Sequence, residues 1–303
     1  MTVIRGISGT KSQIMDFLAR RFPQNSVAPD YFGDLLSTYK DSGLAPPNLV
    51  TEITSGDDGK LWAHVWEALL YHHLLACGYD FRRDRVRKSG QHGPDFGIVH
   101  NGQTIWIEAI TPSPEGIPQD WLDPPKQGEC KVRTKPHEQM LLRWTSALKA
   151  KRDKLKCYLE QDIIAPTDCT VIAVNSCRLS DFAVEDLGIS QLPFAIEAVF
   201  PIGPIAVPIS VDGRPDGDAI RIPRYVIQKS NGAPISTANF LDPCYANVSA
   251  VIGGYQREML KGVLYITLVH NPLATARLPR GLLCATNEYV ADQEGDHFIV
   301  RRI

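Results

Sequence analysis

The sequence predicts an α/β domain in which helices pack on a small mixed sheet built around a central hairpin. Three observations carry this. Residues 93–108 read GPDFGIVHNGQTIWIE, where Asn101-Gly102 separates two apolar alternating runs. Asn-Gly in that setting is a strong hairpin signal, because both residues accept the positive φ of a type I′ turn. Helical periodicity marks 60–77 and 137–161, and TVIAVN at 170–175 is a short continuous apolar run of the kind that forms a buried strand. The order helix, strand, hairpin, helix, strand is that of helices layered on a mixed sheet.

Along the chain, residues 10–42 predict two short helices: Ile14, Phe17 and Leu18 share one face, and Tyr31, Leu35, Leu36 and Tyr39 another. Residues 1–59 thus form a helical cap. The helix at 60–77 carries Trp62, Val65, Trp66, Leu69, Leu70 and Cys77 as an apolar stripe and stops at Gly78. Glu67 lies about 60° from Leu70 around this helix, at the edge of the stripe, where a carboxylate can face a cleft. His72 and His73 fall away from the stripe and read as surface histidines. Tyr79–Lys88 alternates and holds five basic residues, as expected of a charged edge strand or one that contacts phosphate.

With Asn101 and Gly102 as the turn, the hairpin register is fixed. Phe96, Ile98, Ile105 and Ile107 share a core face. Asp95, Gly97, Trp106 and Glu108 share the other, with Asp95 opposite Glu108. Like charges so placed repel, and a divalent cation between them is the natural remedy.

The proline-rich stretch 111–136 is a long loop, and such loops in compact domains are often functional. In the helix after it, Leu141, Trp144, Leu148, Leu155 and Leu159 make the buried stripe. Arg143, Ala147, Lys151, Lys154 and Tyr158 form an adjoining arc of about 80°, while Lys149, Arg152 and Lys156 point elsewhere. Residues 60–177 form the core. Residues 178–303 read as a β-rich extension packed on it, with strands at 194–211, 221–228, 248–252 and 263–270 and a helix between the last two.

The chain has 303 residues, 44% hydrophobic and 22% charged, an ordinary globular composition. A net charge of −2 gives no global nucleic-acid footprint. The segment 82–156 nevertheless holds 15 Lys and Arg against 9 Asp and Glu, an excess of six that surrounds the acidic pair. A solvated surface is the plain reading of such a run. Seven scattered cysteines with no C-x-x-C pair speak against a zinc ribbon and for reduced thiols in a cytoplasmic protein. Of these, Cys77, Cys157 and Cys169 read as core thiols. No signal peptide and no membrane-length apolar run is seen. Zincin, nucleophile-elbow and phosphate-loop motifs are lacking.

The ordered acids Glu67, Asp95 and Glu108, in Trp66-Glu67, Pro94-Asp95 and Ile107-Glu108-Ala109, resemble the PD-(D/E)XK nuclease superfamily with its restriction-endonuclease-like fold. The likeness covers about residues 61–176. It implies a Mg²⁺- or Mn²⁺-dependent phosphodiesterase acting on nucleic acid, DNA before RNA. Asp95 and Glu108 are then the main metal ligands, and Glu67 is an outer or second-metal ligand. The family motif places a lysine two residues after the second acid, where this chain has Ile110. Some members supply that lysine from the following helix. Lys151 is the first choice for this role and Lys154 the second; Arg143 and Lys154 are the candidate phosphate contacts. A catalytically inactive nuclease-fold protein, serving as a nucleic-acid-binding or protein-interaction module, is the rival reading. A homodimer is compatible with either.

Overall fold

The computed structural model describes residues 9–23, 27–82, 93–123, 125–126, 128–180, 186–259, 262–295 and 297–303. Four helices come first: α1 (Gly9–Arg21), α2 (Ala28–Asp41), α3 (Leu49–Ile53) and α4 (Asp58–Ala76). Asp57 caps α4, its carboxylate accepting from Gly59 N at 2.7 Å and Lys60 N at 3.4 Å. This satisfies donors that a helix start leaves without intrahelical partners. Gly78, at φ +80°, ends the helix.

The hairpin follows as β1 (Phe96–His100) and β2 (Gln103–Ile110), with the expected register of Phe96 on Ile107, Gly97 on Trp106 and Ile98 on Ile105. Asn101 and Gly102 take φ of 49° and 79°, the left-handed pair that a type I′ turn needs. At Gly97 the indole of Trp106 lies against the backbone, and a Cβ there would sit 2.5 Å from Trp106 Cζ3. Gly97→Ala is therefore expected to push out the indole, strain its Nε1 hydrogen bond to Asp168 Oδ2 at 2.8 Å, and cost about 1–3 kcal/mol by overpacking. Urea denaturation checks this.

Next come α5 (Gln119–Leu122), α6 (His137–Glu160), β3 (Cys169–Asn175), α7 (Phe194–Glu197), β4 (Ile202–Ala206), β5 (Ile220–Pro223), β6 (Val226–Gln228), β7 (Pro234–Ser236), β8 (Ala250–Gly254), β9 (Thr267–His270), β10 (Asn287–Glu294) and β11 (His297–Arg302). The main sheet is mixed and has seven strands, in the order β1-β2-β3-β8-β9-β10-β11. β3 runs parallel to both β2 and β8, and β9 runs parallel to β10; the other pairings are antiparallel. Hairpins β4-β5 and β6-β7 stand outside it. The protein is thus α/β, as the sequence predicted.

Both faces of the sheet are covered, which is why β3 is buried along its whole length. On one face Phe96, Ile98, Ile105 and Ile107 pack with α1–α4 and with Leu278, Leu282 and Leu283. On the other, Trp106, Ile172, Val174 and Val251 pack with Trp144 and Leu148 of α6 and Phe194 and Ile196 of α7. Trp66 of α4 reaches through to the sheet and donates from Nε1 to Ala173 O at 3.0 Å.

Four of the sequence expectations change here. Residues 194–197 are helical; Pro193 starts a short turn of helix, and the strand begins only at Ile202. Residues 221–228 divide between two hairpins. No helix separates β8 from β9 among the described residues. His73 is buried and bonds Leu283 O at 2.9 Å, and His72 reaches Leu35 O at 3.2 Å. A single-sided stripe did not foretell that α4 is covered on that side too.

Of the basic strand, Phe81 bridges to Ile98, and Arg82 N donates to Gly97 O at 2.7 Å. Arg83, Arg85, Arg87 and Lys88 lie outside the described residues. Cys169 is buried as a core thiol, whereas Cys157 is exposed. The strands β8–β11 from the C-terminal part belong to the same sheet as the hairpin.

Candidate active site

Asp95 stands at the bend immediately before β1. The strand ladder between β1 and β2 ends at Phe96–Ile107, and the Asp95 carboxylate takes over from it, accepting from Ala109 N at 2.8 Å. Glu108 follows the alternation of β2 onto the face beneath α6, where it has no exposed surface. The hairpin register expected Asp95 directly opposite Glu108; the ladder stops one residue short of that pair, and the two acids meet at Lys151 instead.

α6 crosses over them. Lys151, Lys154 and Tyr158, spaced i, i+3 and i+7, share one helix face, so they point at the same ground. Lys151 Nζ donates to Glu108 Oε2 at 2.5 Å and stands 3.7 Å from Asp95 Oδ2, so a single ammonium bridges both acids. Lys154 Nζ reaches the same Oε2 at 3.0 Å. The Tyr158 hydroxyl donates to Gly93 O at 3.1 Å, which steadies the backbone two residues before Asp95.

The electrostatics are unbalanced. Glu108 Oε1 is buried with no hydrogen-bond partner. Burial first and then Asp95 push the Glu108 carboxyl above its ordinary range, against the opposing pull of Lys151 and Lys154. Burial would lower the Lys154 ammonium, but Glu108, Asp95 and Glu67 outweigh it and raise it. Burial beside these acids also raises the Tyr158 phenol, which stays neutral and acts as a donor. A buried ion pair with one oxygen left over is a weak stability device; apolar residues of similar volume often serve as well or better.

Glu67 is placed differently. Its Oε2 accepts from the Tyr39 hydroxyl at 3.2 Å and lies 3.3 Å from His64 Nδ1. His64 in turn bonds Glu52 through Nε2 at 2.8 Å. Burial lowers the His64 imidazole, but Glu67 and Glu52 together raise it, and the ring sits between the two carboxylates. Glu67 borders the site closely enough to raise Lys154, yet its carboxylate is held by α2 and α4 neighbours. No group of three or more His, Cys, Asp or Glu residues is placed to share a metal among the described residues.

Arg143 lies two turns before Lys151, about 12 Å along α6. Its Nη1 donates to Glu115 O at 3.2 Å, beside an open groove bounded by Glu115, Gln139, Ser146 and Lys229. It is therefore not brought to the acids. Tyr158 is the site residue given no role at sequence level, although its place in the Lys151 arc was the available signal.

Comparison with family models, with curated proteins and with solved structures finds no match to this chain. The chemistry of the site therefore rests on its own residues. Their donors suit a hard divalent cation: two adjacent carboxylates, one with a buried oxygen that nothing satisfies, are oxygen ligands of the kind Mg²⁺ and Mn²⁺ prefer.

Proposed function

We propose that the protein is a metal-dependent nuclease with a PD-(D/E)XK-like site whose lysine comes from the following helix. One observation carries the reading: Lys151 Nζ bridges Glu108 and Asp95 while Glu108 Oε1 stays buried and unpaired. The order of α4, the antiparallel hairpin, α6 and a strand parallel to β2 agrees with the restriction-endonuclease-like core that the sequence resemblance implied.

Asp95 and Glu108 would hold the Mg²⁺ or Mn²⁺ ion. When bound, the ion supplies a water of lowered pKa and charge stabilisation at the scissile phosphate. Lys151, already between the two acids, is positioned to orient that water or to neutralise the charge that develops on the phosphate oxygens. Lys154 is more exposed than Lys151 and is free to turn from Glu108 to a phosphate. Glu67 serves at the border of the site, through its charge. Arg143, at the groove above, suits a phosphate further along the strand.

The direct test is incubation of the purified protein with plasmid, single-stranded DNA and RNA, each with Mg²⁺, Mn²⁺ or EDTA. Cleavage in metal and none in EDTA is expected, on DNA before RNA. Cleavage that survives EDTA removes the metal from the mechanism. No cleavage of any substrate leaves the site to the nucleic-acid-binding or protein-interaction reading.

A further inference from the structure

A second concave site lies on the α6 side of the sheet, away from the acids. It is a cavity of about 320 Å³ at the carboxyl end of β8, with Gly253 at its floor. Strand register puts Gly253 level with Val174 and Ile110, two residues beyond Glu108 and two strands across. At strand spacings of about 4.8 Å and 3.3 Å per residue, the two sites are about 12 Å apart. Trp144 of α6 and Ala195 of α7 close over Gly253; a Cβ there would lie 3.2 Å from Trp144 Cη2 and 2.7 Å from the Ala195 Cβ. The cavity is thus separate from the cleft at Glu108, and the lack of a side chain at Gly253 lets Trp144 and Ala195 pack directly on the strand between the two.

The lining combines three chemistries. Tyr255, Tyr265 and Tyr289 bring three aromatic rings to one small space. Asp186 and Asn287 supply a carboxyl and an amide, groups that can both donate and accept toward the edge of a planar ligand. Burial pushes the Asp186 carboxyl up to about 7, with Glu197 adding to burial and with Ser176 and Lys135 pulling the other way. Arg302, exposed on the last strand, is the cation of the lining, and the contact its guanidinium makes is a long 3.4 Å hydrogen bond to Thr286 O. Small-ligand sites are typically apolar or aromatic pockets with a few convergent polar groups, at the carboxyl ends of sheet strands.

We infer that this cavity binds a nucleotide: a planar, hydrogen-bonding heterocycle among the tyrosines, edge-read by Asp186 and Asn287, with its phosphate on Arg302. An aliphatic ligand would leave the Asn287 amide without a partner, whereas the Asp186 carboxyl also has Ser176 within the protein. A bare anion would leave the aromatic rings unused and face the Asp186 carboxyl. A heterocycle carrying an anionic tail uses all three features, since aromatic side chains stack on the π-face that every base offers. This site stands independently of the proposed nuclease activity.

Calorimetric titration without divalent metal tests it, using the four ribonucleoside 5′-monophosphates, the matching nucleosides, ribose 5-phosphate and dinucleoside monophosphates. At least one mononucleotide is expected to half-saturate the chain below about 1 mM, with ribose 5-phosphate at least about tenfold weaker. Arg302→Ala is expected to bring that nucleotide down to the level of its nucleoside, and Asp186→Ala to weaken both. Arg302 is a surface residue, so its loss leaves a folded control, and a thermal melt checks the Asp186 variant. Tighter binding of a dinucleotide than of either half assigns the cavity to a residue of a strand rather than a free nucleotide. No binding by any nucleotide, equal binding of ribose 5-phosphate, or wild-type affinity in both variants overturns the inference.

Discussion

Lys151→Met is expected to lower nucleic-acid cleavage by about 10²–10³-fold, the usual cost of removing one preorganised electrostatic group. Metal binding should survive and even tighten, because Lys151 no longer competes for Glu108 Oε2, where it now stands at 2.5 Å. The methionine keeps most of the apolar stem that runs under α6, so the packing of the helix changes little. Lys149, two residues earlier, is the matched control. Its ammonium pairs with Asp153 at 2.8 Å on the exposed side of the helix, and Lys149→Met should cut at close to the wild-type rate. Single-turnover cleavage and Mn²⁺ titration of the three proteins check this together. Equal cleavage by wild type and Lys151→Met would remove the lysine from the mechanism while leaving the metal site standing.

Glu108→Gln is expected to weaken Mn²⁺ binding by more than about 100-fold, since even residues that only support metal ligands are worth 10–100-fold. Asp95→Asn should act in the same direction. The more telling result is the stability of the metal-free variant. In the folded wild type, burial and Asp95 raise the Glu108 carboxyl, so between the ordinary carboxylate range and the raised value the folded chain binds its proton more tightly than the unfolded chain does. The stability due to this group is complete below the ordinary carboxylate range. It is lost as pH rises through the raised value. Glutamine does not titrate and escapes that loss. The melting midpoint of metal-free Glu108→Gln should therefore equal or slightly exceed that of wild type at pH 7, and any advantage should vanish at about pH 4. Clear destabilisation of both acid variants at pH 7, with Mn²⁺ affinity intact, would show that the pair serves structure instead of metal.

Much of the site was legible because it depends on local rules. The Asn101-Gly102 turn fixes the hairpin, and period-two alternation then sends Glu108 to the face of Trp106. Helical spacing puts Lys151 and Lys154 on one side of α6, at the border of its buried stripe. Glu67 was harder to read. Its angle on α4 gave its edge position, but its partners Tyr39 and His64 depend on how α2 packs against α4, which no pattern within α4 encodes. Arg143 shares the arc of Lys151, yet arc position says nothing of distance along the helix axis. In the C-terminal part, apolar runs gave strands but not partners. Phe194–Glu197 reads as a strand by composition and is helical because it closes the α6 face beside Trp144. Cys157 follows helical spacing into the α6 sequence and is exposed because the stripe runs beside it.

The pairing of β3 with β8 has a consequence for how the chain reaches this state. β3 ends at Asn175 and β8 begins at Ala250, so the middle of the sheet is joined by strands far apart in sequence. β2 and β3 are separated by α5 and α6 in the same way. Parallel pairings of this kind pay the entropy of a long loop before they gain contacts, which slows folding relative to local hairpins. The β1–β2 hairpin can form early, but Leu268, Leu278 and Leu283 complete the apolar layer against α4. The apolar side of the hairpin itself is covered by the N-terminal helices, with Tyr39 of α2 against Phe96. A chain caught before β8 joins β3 exposes a strand edge and apolar surface prone to aggregation, although the site's own groups all lie between Gly93 and Tyr158.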